Sequence, residues 1–175
     1  MEAHVTSCCC CDQGVSRIQC YFEKNAYSPG EDAKIYCILD TKDSKADITE
    51  VTVKLINEIT YTSKEGVKKV YSDTIFQRNF PGLEKGQQIE REQLIKIVNT
   101  KPFHDSFDIK PTARGQKLHS VYFLRVEAVL SALCTCCSDL PIVNQPILIY
   151  PYIPVNYTFN APASWHPEEM PMINL

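Results

Sequence analysis

Apolar and polar side chains alternate with a period of two through most of this chain, and turns bearing proline and glycine break the alternation. Residues 25–40, NAYSPGEDAKIYCILD, show both halves of the pattern. Tyr27-Ser28-Pro29-Gly30-Glu31 reads as a turn: Pro29 fixes φ and Gly30 accepts a positive φ, which are the requirements of type II. Beyond it Ile35, Cys37 and Leu39 alternate with Lys34, Tyr36 and Ile38. Period two is the geometry of a strand whose successive side chains point to opposite faces.

The same punctuation recurs in SPGED, TKDSKAD, SKEGVKK, FPGLEKGQ and TARGQK. Between these turns the pattern predicts strands over 15–24, 33–40, 48–62, 70–80, 88–98, 117–133 and 140–150. Val51, Val53, Leu55, Ile59 and Tyr61 share one face, interrupted by Asn57. Tyr122, Leu124, Val126, Ala128 and Leu130 share another, with Arg125 and Glu127 opposite. GLEKGQQIEREQLIKIV has loosely helical spacing at Leu83, Ile89 and Leu94. Ile89, Ile95 and Ile97 alternate equally well, and Gly82 and Gly86 weaken a helix. Seven strands with short connections predict an all-β fold, an immunoglobulin-like antiparallel β-sandwich. Val53, Leu55, Tyr122, Leu124, Val126 and Ile149 are its expected core.

The expected organisation is a Cys-rich leader over 1–13, the sandwich over 14–152 and a Pro-containing tail over 153–175. Pro154, Pro162, Pro167 and Pro171 cannot donate ladder hydrogen bonds, so the tail is expected outside the sheets, with Trp165 as an apolar anchor. Asn99 to Gln116 is the one long connection, a length that often carries function.

The net charge is −3, from 18 basic and 21 acidic residues, so no strong field recruits nucleic acid or anionic lipid. The longest apolar stretch, 138–150, includes Asp139, Pro141, Asn144, Gln145 and Pro146, so no transmembrane segment is expected. MEAHVTS has no basic region followed by an apolar run, the pattern of a secretory signal. Nine cysteines, an odd number, agree with a reducing, cytoplasmic compartment.

No catalytic pattern is visible: there is no nucleophile elbow, no zinc-protease helix and no Gly-rich phosphate loop. His104, Asp105 and Asp108 share the long connection. They read first as a solvated polar loop and second as an acid/base site. His119 leads into a strand; His4 and His166 stand apart. Seven cysteines form two clusters, Cys8 to Cys11 and Cys134, Cys136 and Cys137. In order of preference they are packing residues, S-acylation sites or zinc ligands. The runs CCCC and CTCC lack the spacers that let one segment offer two thiolates to a tetrahedral ion. No residue is therefore assigned to a catalytic, cofactor or metal site, and no cofactor is expected.

CCCCDQGVSRIQCYFEKNAYSPGEDAKIYCILD resembles the opening of the C-terminal domain of the arrestin family, through Gly14, Ile18, Lys24, Tyr27, Pro29, Gly30 and Glu31. VTVKLINEITYTS resembles the family's third strand, IKPTARGQKLHSVYFLRVEAVL the loop leading into its long central strand, and DLPIVNQPILI its closing strand. Order and spacing agree from about Cys8 to Tyr150, and the pattern is closest to the α-arrestins.

The resemblance implies a non-enzymatic protein-binding adaptor in membrane-protein trafficking, endocytosis or signalling. Its partners would be membrane-protein cargo or receptor tails, and ubiquitin-ligase machinery through a longer parent protein. It would work in the cytoplasm, peripheral to the plasma membrane or endosomes. The alternative is a zinc-binding or thiol-redox interaction protein that uses the cysteine clusters. Arrestins carry two sandwiches and this sequence holds one, so an N-terminal arrestin domain is missing. The tail has no Pro-Pro-x-Tyr motif, the means by which α-arrestins recruit ligases.

Overall fold

The computed structural model describes residues 2–7, 11–100, 108–131 and 140–151. The described residues contain ten strands and no helix: β1 (Glu2–Ser7), β2 (Cys11–Phe22), β3 (Ala26–Tyr27), β4 (Asp32–Asp40), β5 (Ile48–Thr62), β6 (Lys68–Leu83), β7 (Gln88–Lys96), β8 (Ala113–Arg114), β9 (Leu118–Leu130) and β10 (Ile142–Ile149). One sheet has the order β1-β2-β4-β7. The other has the order β3-β10-β9-β5-β6, with β8 added beside β9. All pairings are antiparallel except that of β3 with β10, which is parallel. The all-β sandwich expected from the pattern is thus observed.

The seven expected strands correspond to β2, β4, β5, β6, β7, β9 and β10. The helical spacing at Leu83, Ile89 and Leu94 gives way to β7, because Ile89 and Ile95 turn inward while Leu94 faces solvent. The segment expected as a Cys-rich leader contains β1 and the start of β2. Met1, Ala3 and Val5 alternate with Glu2, His4 and Thr6, but the alternation is short and one of its members is only an alanine, so it does not announce a strand. The two-residue strands β3 and β8 are too short to show one. Cys8–Cys10, the cluster at Cys134–Cys137, His104, Asp105 and the tail with Trp165 and His166 lie outside the described residues.

The core fills the space between the sheets. β9 alternates buried and half-buried side chains without a break from Ser120 to Leu130. Val53, Leu55, Tyr122, Leu124, Val126 and Ile149 are all buried, as the period-two pattern requires. Ile18, Ile35, Leu39 and Ile95 meet them from the smaller sheet. A β-bulge interrupts β6. Leu55 pairs with Phe76 and Ile56 with Thr74, which leaves Ile75 as the extra residue. Ile75 and Phe76 are consequently both buried. The Ile75 carbonyl accepts from the Thr100 amide at 3.2 Å and from its hydroxyl at 3.1 Å.

Two arginines close one side of the sandwich. Arg78 Nη1 reaches from β6 to the Leu94 carbonyl at 3.2 Å, and Arg91 Nη1 reaches from β7 to the Pro81 carbonyl at 2.6 Å. Each occupies an edge carbonyl of the opposite sheet, which blunts an edge otherwise open to pairing. The sheets differ in length. β5 and β6 have 15 and 16 residues, whereas β4 and β7 have nine each. At about 3.3 Å per residue the β5–β6 hairpin therefore overhangs the smaller sheet by roughly 20 Å.

Candidate functional site

The turn at Tyr27–Glu31 ties the two sheets together. Glu31 N donates to the Ser28 carbonyl at 3.1 Å, and Gly30 has φ +89°, which is the expected type II turn. Gly30 N then donates to the Ile97 carbonyl at 2.7 Å, and Ile97 N donates to the Glu31 carbonyl at 2.8 Å. On the other flank Leu148 N donates to Asn25 and Tyr150 N to Tyr27. Tyr27 is fully buried, its hydroxyl donates to the Lys24 carbonyl at 2.9 Å, and Lys24 Nζ sits 4.9 Å from its ring centre. Burial pushes its phenol above the ordinary value. Glu31 Oε2 accepts from Ser28 N at 2.8 Å and from Lys24 Nζ at 3.0 Å, and these bonds, the amide first, hold its carboxyl below the usual range. These bonds join the turn to β7, β10 and Lys24, so the motif holds the fold together.

The overhang of the β5–β6 hairpin has a different character. Its inner face lacks a partner sheet, and Ile59, Tyr61, Lys69 and Tyr71 line an open depression of about 370 Å³ there. Tyr61 and Tyr71 are 46% and 56% exposed, and their rings meet edge to face at 5.8 Å. Val67 at the hairpin tip and Val70, which stands on the Thr60 rung and so on the opposite face, are each 61% exposed. The tip is well formed: Ser63 Oγ accepts from the amides of Glu65 and Val67, and Gly66 takes φ +85°. Lys64, Lys68, Lys69, Arg114 and Lys117 are exposed at this end, with Glu65 among them. Register puts Lys69 on the aromatic face, on the rung of Tyr61, with Asp73 on the next rung of that face beyond Tyr71, whereas Lys68 and Arg114 stand on the rungs of Thr62 and Thr60 and face the other way. An exposed tyrosine pair with a lysine beside it can bind a segment that combines apolar and acidic side chains.

The residues singled out from the sequence are dispersed. His119 is half-buried on β9, opposite Thr60 and Arg114. Asp108 Oδ1 accepts from Lys110 Nζ at 2.5 Å. His4 lies in β1 opposite Val15, and Cys11 begins β2. Among the described residues no group of three or more His, Cys, Asp or Glu side chains could hold a metal ion. With no helix among them, the described residues hold no helix long and apolar enough to cross a membrane.

Sequence reasoning passed over one pair. Cys20 and Cys37, the two cysteines outside the clusters, lie directly opposite each other on β2 and β4 with sulfurs 3.4 Å apart. The hydrogen bond to Cys37, followed by burial, pushes the Cys20 thiol up. The same bond holds Cys37 below its ordinary value despite burial. The signal was available: the two strands flank a short turn, and both cysteines fall on their inward phase.

Comparison with known proteins agrees with this architecture. The sporulation control protein Spo0M from Bacillus subtilis is similar in structure, with a TM-score of 0.55 and 15% sequence identity. The likeness covers 77% of this chain and 49% of that one, so this chain spans about half the length of Spo0M. No curated protein matches the sequence. The family model for the arrestin (or S-antigen) C-terminal domain matches residues 12–154, a stretch that runs from the start of β2 past the end of β10. Its Tyr-x-Pro-Gly-Glu turn, its long central β9 and that match together place the chain in the arrestin family, as a domain of the C-terminal type.

Proposed function

We propose that this chain is a non-enzymatic protein-binding adaptor of the arrestin type, acting in membrane-protein trafficking, endocytosis or signalling at the cytoplasmic face of membranes. The binding sandwich spans 14–152 and takes in β1 and the first residues of β2 before it; the Pro-containing segment 153–175 is its tail. Its ligands are cytoplasmic tails of membrane cargo or receptors. Ubiquitin-ligase machinery and an N-terminal arrestin domain join through a longer parent protein.

The observation that carries this reading is the exposed Tyr61–Tyr71 face on the overhanging hairpin, with Lys69 beside it. Large apolar patches rimmed by polar residues mark interaction sites, and tyrosines are favoured anchors because they bring much contact area at little entropic cost. The test is fluorescence anisotropy with a panel of cytoplasmic-tail peptides, acidic and basic. Acidic tails with aromatic or aliphatic residues should bind, and a Tyr61→Ala/Tyr71→Ala variant with unaltered melting should lose at least tenfold in affinity. Absence of binding across the panel, or equal binding by that variant, would overturn the proposal.

A further inference from the structure

Cys20 and Cys37 meet on the inner face of the four-stranded sheet, between the rungs Phe22–Ile35 and Ile18–Leu39. Glu23 N donates to the Lys34 carbonyl, which makes that rung a hydrogen-bonded one. Three residues along, Cys20 and Cys37 therefore occupy a non-hydrogen-bonded rung, where opposed Cα atoms are about 4.5 Å apart. That separation lies inside the disulfide range of about 4.4–6.8 Å. The sulfurs are already 3.4 Å apart. Bringing them to about 2.05 Å needs rotation of two side chains and no strand movement.

Access differs between the two. Cys37 is 1% exposed. Cys20 is half-buried and lines an opening of about 370 Å³ with Phe22, Lys24, Asn25 and Gln145, at the seam between β2 and β10. One thiol is thus reachable from solvent, and the other waits directly behind it.

We propose that Cys20 and Cys37 form a reversible thiol–disulfide site, oxidised by a low-molecular-weight disulfide that enters at Cys20. In the first step the Cys20 sulfur attacks one sulfur of the reagent RSSR; the Cys20–SR bond forms, the reagent's S–S bond breaks, and one RS⁻ leaves. In the second step the Cys37 sulfur attacks Cys20 Sγ, forming the Cys20–Cys37 bond and expelling the second RS⁻. The two protons lost by the cysteines end on two molecules of RSH, and two electrons pass from the cysteine pair to the reagent. Loss of one proton from the pair leaves a single S–H shared across the 3.4 Å contact, and its transfer from Cys20 to Cys37 Sγ exposes the Cys20 thiolate that attacks. The product staples β2 to β4 across the Tyr27–Glu31 turn, so the oxidised chain resists unfolding more than the reduced one.

The test uses the full chain, reduced and then incubated with oxidised glutathione, alkylated, and digested without reductant. Mass spectrometry should find a linked peptide pair containing Cys20 and Cys37, two hydrogens lighter than the free peptides. The melting midpoint should rise on oxidation and return with dithiothreitol, and the rise should vanish in Cys20→Ala and in Cys37→Ala. Recovery of Cys20 only as the glutathione adduct or the alkylated thiol, with no Cys20–Cys37 peptide from folded wild-type protein, would overturn the proposal. So would linkage of either residue mainly to another cysteine.

Discussion

Leu124 lies directly opposite Leu55 across the β5–β9 ladder, and both side chains are fully buried against the smaller sheet. Truncation at either position opens a cavity that neighbouring strands cannot collapse into, because their backbones are fixed by ladder bonds. Leu124→Ala should cost about 2–5 kcal/mol, measured by urea denaturation. A midpoint unchanged within error would place Leu124 outside the core.

Gly14 approaches the connection from β4 to β5, which crosses between the sheets. Its φ is +86°, and a Cβ built on it would sit 1.9 Å from the Asp43 carbonyl oxygen. That carbonyl already accepts from Val15 N at 2.9 Å, so it cannot swing away without breaking a bond. Gly14→Ala should destabilise by about 2–3 kcal/mol, the combined effect of left-handed strain and overpacking. Wild-type stability in Gly14→Ala would mean that the connection is looser than its hydrogen bonds indicate.

Glu31 should make the Tyr27–Glu31 turn sensitive to acid. Its carboxyl is depressed by the Ser28 amide and then by Lys24. A depressed carboxyl contributes stability above its unfolded-state value and loses it as pH falls through the folded-state value. Glu31→Gln should therefore be less stable than wild type at pH 7, and the difference should shrink as pH falls below about 4.5, the ordinary value. Both Glu31 and Lys24 are 42% exposed, so the gap at pH 7 should stay below about 1 kcal/mol. Melting curves of both proteins from pH 3 to 7 that stay parallel would contradict this.

Gln93 is 2% exposed on the inner face of β7, and neither its Nε2 nor its Oε1 has a hydrogen-bond partner among the described residues. A buried amide without partners keeps its desolvation penalty. Replacement by an apolar side chain of similar shape removes that penalty. Gln93→Met should raise stability by about 1 kcal/mol, read as a higher denaturation midpoint. A loss of stability would show that the amide is satisfied in solution.

Much of this fold was legible in the residues themselves. Strand positions followed from period two, since a strand that buries one face must place apolar side chains at every second residue, as β9 does from Ser120 to Leu130. The turn at Ser28–Glu31 followed from Pro29 and Gly30, whose backbone preferences act locally and need no neighbours. The short strands β3 and β8 were not legible, because two residues carry no period. Nor was β1, because its apolar stripe is limited to Ala3 and Val5.

What only the tertiary structure decided is which residues meet and where cover ends. Val51, Val53, Leu55, Ile59 and Tyr61 read as one uniform face, yet the first three are buried and Tyr61 is 46% exposed. The pattern of β5 alone cannot show this, because burial depends on the length of the opposing sheet, and β4 and β7 stop after nine residues. Cys20 and Cys37 are likewise seventeen positions apart in the chain and become neighbours only through the β2–β4 register. Local periodicity determined the strands of this protein. Sheet length and register, which are relations between distant segments, determined its exposed aromatic face and its paired thiols.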